Sequence, residues 1–150
     1  MYGDSDAMRR RADQLREQAV DLRALADQLV AQTEGIGWTG RAADSMGERV
    51  RERASQLRAA AGQHDTAADS LDRHVQEVDT IKDAITDTER KATTLVADAR
   101  TRVARIVAAN DAEPDPAVRR LPDADDLTLA EFTPPPSGHK DWLAVSLPGL

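Results

Sequence analysis

The feature that most constrains this chain is a seven-residue repeat near its start. Met8, Leu15, Leu22, Leu29 and Ile36 recur every seven positions, and Ala12, Ala19 and Ala26 each follow one of them by four residues. Alternating three- and four-residue steps place all these side chains along one stripe of an α-helix and scatter them over both faces of a strand. Neither Gly nor Pro interrupts residues 4–33, and Asp4, Ser5 and Asp6 are suitable N-caps. The spacing predicts a helix over about residues 4–34, roughly 45 Å long at 1.5 Å per residue.

The stripe ends at Gly35-Ile36-Gly37-Trp38-Thr39-Gly40, where three glycines tolerate the backbone angles a chain reversal needs. A second helix is expected over about 41–85. Its stripe comprises Ala43, Met46, Val50, Ala54, Leu57, Ala61, His64, Ala68, Leu71, Val75, Val78 and Ile85. A connection this short implies that the second helix returns alongside the first as a hairpin. Thr86-Asp87-Thr88-Glu89 offers caps for a fresh start, so a break is expected there, with a further helix over about 88–110. The fold class that follows is all-α: an antiparallel helical hairpin with a C-terminal helical extension.

Composition supports that class and narrows the function. Aromatic residues make up only 3% of the chain and charged residues 31%, so small aliphatic side chains must build the core. Such cores suit helices lying side by side better than a sheet sandwich. A net charge of −7 disfavours general affinity for nucleic acid or for an anionic membrane surface. Without cysteine the chain has no disulfide, thiolate metal site or thiol nucleophile. No run nears the roughly 20 apolar residues of a membrane span, so stable membrane insertion is not expected. The opening MYGDSDAMRRR lacks the apolar stretch of a cleavable secretory signal.

Beyond Asn110 the character changes. All seven prolines lie after residue 113, and eight acids stand against Arg119, Arg120 and Lys140, a net of −5. Residues 111–150 therefore read as an extended, largely disordered acidic Pro-rich tail. Phe132, Trp142, Leu143, Val145 and Leu147 are apolar spots within it, enough for a short docking segment.

The most informative motif is Trp38-Thr39-Gly40 between two long amphipathic helices, followed by Arg41-Ala42-Ala43 and a bulky apolar residue at Met46. An indole in such a turn can fold back over the open end of a two-helix core. Gly40 would let the chain reverse beneath it, and Thr39 would cap the next helix. On these residues, the first 85 or so positions resemble the WXG100 (ESAT-6-like) family of small helical-hairpin proteins. The resemblance implies a hairpin that dimerises into an antiparallel four-helix bundle. The partner would be a second copy or a WXG100-like protein. It also implies handling by a type VII (ESX) secretion system of Gram-positive or actinobacterial cells, as a substrate or a companion of one. Localisation would then be outside the cell without a cleavable signal peptide, or in the cytoplasm. Two features depart from the family. No Tyr-x-x-x-Asp/Glu follows the second helix, and Tyr2 with Asp6 has that spacing at the wrong end. The extension and tail also exceed the usual family length.

Residues expected to face a helical partner are Met8, Leu15, Leu22, Leu29, Met46, Val50, Leu57, Leu71 and Val78. The remaining motifs carry no chemistry. His64 and His74 lie on or near the apolar side of the second helix, and His74 with Glu77 supplies too few ligands for zinc. Asp111-Ala-Glu113-Pro-Asp115 opens like a calcium loop, but Pro116 stands where glycine is required. Acids surround Arg9-Arg10-Arg11 and Arg49, Arg51 and Arg53, and no aromatics interleave for base stacking. The expected protein is therefore non-enzymatic, with no cofactor and no metal. The alternatives are a cytosolic coiled-coil scaffold or adaptor unrelated to secretion, and an N-terminal targeting domain derived from a secreted toxin.

Overall fold

The computed structural model describes residues 4–150, so the expectation attached to Tyr2 lies outside the described residues. Every regular element among them is helical: α1 (Ser5–Gly35), α2 (Arg41–Ala112), α3 (Ala124–Ala130) and two short 3₁₀ turns (Pro116–Val118 and Lys140–Ala144). The chain divides into two compact units, residues 1–79 and 80–150, with the division inside α2.

In the first unit, Asp4 caps α1, its carboxylate accepting from the backbone N–H groups of Asp6 and Ala7 at 3.0 and 3.2 Å. The helix ends at Gly35, and positive φ at Gly37 (68°) and Gly40 (102°) turns the chain. The first bond of α2 runs from Asp44 N–H to the Gly40 carbonyl, so Gly40 takes the cap position expected of Thr39. Gly62 is tolerated inside α2, where Thr66 Oγ1 donates to its carbonyl at 3.0 Å.

The core of this unit is made of alanine. Ala12, Ala19 and Ala26 in α1 and Ala54, Ala61 and Ala68 in α2 are all fully buried, as is Val75 at 2% exposure. Each set repeats every seven residues, and side chains of one carbon let two helix backbones approach more closely than leucine would. Ion pairs follow the same register. Arg9 pairs with Asp79, Arg16 with Asp72 at 2.6 Å and with Asp69 at 2.9 Å, and Arg23 with Asp65. Arg58 of α2 reaches Asp27 of α1 at 2.6 Å with the charges exchanged. Partners seven residues later in α1 are seven earlier in α2, so the contacts run in opposite order along the two helices. Ser5, 8% exposed, joins the first rung by donating to Asp79 at 3.0 Å.

In the second unit α2 continues without the break expected near Thr86–Thr88. Thr86 Oγ1 donates to the Lys82 carbonyl four residues back at 3.0 Å, a bond that a mid-helix threonine makes without ending the helix. Residues 111–150 also differ from the expected disordered tail. Trp142 (2% exposed) packs with Ile85 and Ala92, and Leu129 (3%) with Val96 and Ala99; Phe132 and Leu147 contact both groups. The rings of Phe132 and Trp142 sit 6.3 Å apart, tilted by 57°. The acids that suggested disorder are used locally. Asp115 and Asp123 cap the first 3₁₀ turn and α3, and Asp126 receives a two-pronged bond from Arg102, with Nη2 to Oδ1 at 2.6 Å and Nε to Oδ2 at 2.9 Å. Composition counts charges without showing which are paired, and small residues on α2 at Ala92 and Ala99 leave room for large tail side chains.

Candidate partner-binding surface

The leucine stripe and the alanine seam differ in how completely each helix covers the other. Met8, Leu15, Leu22, Leu29, Val50, Leu57, Leu71 and Val78 are all half-buried, and Met46 is 41% exposed. None of the nine reaches the interior. The alanines take the buried seam, and the larger side chains line its edges with one side uncovered. Val20 and Leu25 add further exposed apolar surface on α1, at 62% and 46%.

Three of these residues come together near the bend. Leu29, Met46 and Val50 form, with Trp38 and Ala42, the apolar wall of a groove of about 570 Å3, and Arg49 and Arg53 complete its lining. Trp38 is not folded over the helix ends as expected: it is 68% exposed, and residues 34–42 are exposed throughout. The ring instead forms the edge of a surface groove. Its other side borders a polar recess containing Glu34, Asp44, Glu48 and Arg51.

No protein-family model, curated protein or solved structure matches this chain. The resemblance drawn above rests on the Trp38-Thr39-Gly40 bend and the two helices that flank it.

Charge around the flank is unevenly committed. Arg16 is held above the usual guanidinium range by its hydrogen bonds to Asp72 and then Asp69. By contrast Arg49 has no ion pair among the described residues, and Arg53 only donates to Gln56 at 3.0 Å. The sequence holds one signal for the register that residue-by-residue reading missed. Arg9, Arg16 and Arg23 step by seven in one helix while Asp65, Asp72 and Asp79 step by seven in the other.

Neither His64 nor His74 belongs to a candidate site. His64 is half-buried with its Nδ1 enclosed and unbonded, and His74 is exposed. Among the described residues, no group of three or more His, Asp or Glu could hold a metal ion, and no helix is long and apolar enough to cross a membrane.

Proposed function

We propose that this chain is a non-enzymatic binding protein whose α1–α2 pair forms an antiparallel hairpin and associates, side to side, with a second helical protein or a second copy. The observation that carries the reading is the division of labour between alanine and leucine. A seam of alanines gives a hairpin little apolar burial, because each contributes about one methyl group. The larger side chains stay half-open along the flank, where a further pair of helices would cover them and complete a four-helix bundle. Small cores of this kind are marginal alone.

Together with the Trp38-Thr39-Gly40 bend, this surface supports a role like that of WXG100 proteins, as a substrate or companion in a type VII secretion pathway. Its location would be extracellular by that pathway, or cytoplasmic. The arginine–aspartate ladder strengthens the hairpin part of this reading, since it ties α1 to α2 at three successive heptads.

Light scattering on purified protein, alone and co-expressed with products of adjacent genes, tests the proposal. The expected result is a complex of twice the 16.3 kDa chain mass, or the sum of two different chains. A monomer with full helicity at micromolar concentration would show that the flank needs no cover. Recovery from culture medium that depends on the secretion ATPase tests the pathway separately.

A further inference from the structure

The groove at the bend has a composition that narrows its occupant, and we propose that it receives an acidic amphipathic helix of the partner protein. This inference rests on the helical-partner reading and names the partner's chemistry at one end of the flank.

The groove's wall is apolar. Trp38 and Met46 stand 68% and 41% exposed there, a ring and a flexible thioether suited to receive the hydrophobic side of a helix. Its lining is completed by cations. Arg49 and Arg53 lie four residues apart on α2, which places their side chains on one face about one turn from each other. Of the nine other arginines of the first unit, Arg9, Arg10, Arg16, Arg23 and Arg58 form ion pairs, and Arg11, Arg41, Arg51 and Arg73 form none among the described residues. Arg49 and Arg53 have no such partner among the described residues. What sets Arg49 and Arg53 apart is their place, since both line the apolar groove itself. A helix that put leucine or phenylalanine into the groove and two carboxylates over Arg49 and Arg53 would satisfy both features.

The chain already shows this chemistry internally. In the second unit, α3 is an acidic amphipathic helix whose Leu129 is buried against Val96 and Ala99 while its Asp126 holds Arg102 with two hydrogen bonds. The groove at the bend offers the same pairing of small and medium apolar groups with arginine, without an occupant from the described residues. An anionic membrane surface is the competing ligand for an exposed Trp beside arginines. The recess on the ring's other side mixes Asp44 and Glu48 with Arg51 and favours neither ligand, so the precedent for a helix is the pairing of α3 with Arg102 within the chain.

The test uses the full chain and two synthetic amphipathic helices with identical leucine faces, one carrying glutamates on its polar face and the other lysines. Binding is read by anisotropy of the labelled peptide and by Trp emission. Trp142 is 2% exposed, so a blue shift reports on Trp38. The glutamate helix should bind saturably and shift the emission. The lysine helix should bind roughly tenfold or more weakly, and Arg49→Glu with Arg53→Glu should reverse that preference while leaving helicity intact. Equal binding of both helices, or none by the glutamate helix, would overturn the proposal. A shift produced by anionic phospholipid vesicles and not by the glutamate helix would assign the groove to a membrane surface instead. Failure here combined with a dimer in light scattering would leave side-to-side pairing standing and remove only the acidic occupant.

Discussion

Ala19 and Trp38 illustrate how little side-chain size says about burial in this molecule. Ala19 has no exposed surface and Trp38 is 68% exposed. Buried positions in close-packed helices penalise added volume, because extra methylenes force neighbours off their rotamers. Ala19→Leu should therefore destabilise the protein by about 1–3 kcal/mol despite its better apolar transfer energy. Trp38→Ala should change stability by less than about 0.5 kcal/mol, as for surface positions generally. Urea unfolding of the two variants beside the parent measures both. A stability loss in Trp38→Ala equal to that in Ala19→Leu would mean that the indole does close the helix ends.

Between the helices, charges at heptad spacing follow the register. Arg16 meets Asp69 and Asp72 near the middle of α1, and the next rungs lie one heptad away on either side. Exposed ion pairs contribute modestly to stability, but like charges placed opposite one another disfavour a register. Arg16→Glu should lower the midpoint of thermal unfolding. Adding Asp69→Arg and Asp72→Arg should recover part of the loss, since the reversed pair restores attraction. Circular dichroism melts at low salt check this, and high salt should shrink the differences among all three proteins. The absence of any recovery in the triple variant would show that the ladder decorates a register set by the alanines alone.

At the scale of the whole molecule, attachment of the chain after Asn110 depends on acid. In the second unit, the Glu89 carboxylate is held below its usual range by hydrogen bonds from Ser137 and the Gly138 N–H, and Asp126 is held below its range by Arg102. Both folded values lie below the unfolded ones. Their stabilisation is therefore complete above the ordinary carboxylate range near pH ~4 and is lost as pH falls through the depressed folded values. Glu89→Gln should weaken attachment of residues 134–145 at neutral pH and flatten the acid dependence relative to the parent. Near-ultraviolet circular dichroism between pH 7 and pH ~3, dominated by Trp142 as the buried indole, follows it. Identical acid profiles for the two proteins would remove Glu89 from the attachment of the tail.

Helix content, the position of the bend and the identity of the apolar stripe were all legible from residue order. Helical hydrogen bonds span four residues, and a seven-residue repeat displays their consequences locally. The glycines at 37 and 40 likewise announce a reversal within their own dihedral angles. Tertiary structure alone decided which stripe residues became core, because that depends on how closely two helices approach, and the alanines of both must be present at once to permit it. The same holds for the chain after Asn110. Its prolines and acids look like solvated tail until α2 supplies the notches at Ala92 and Ala99 and the cation at Arg102, contacts formed between residues some 24 to 57 positions apart by way of Asp126, Leu129 and Trp142. Trp38 stays exposed where a cover over the helix ends was expected, while Trp142, one of the apolar spots expected to dock, is buried. The reason is that a large ring is buried only where another element leaves a space of its size.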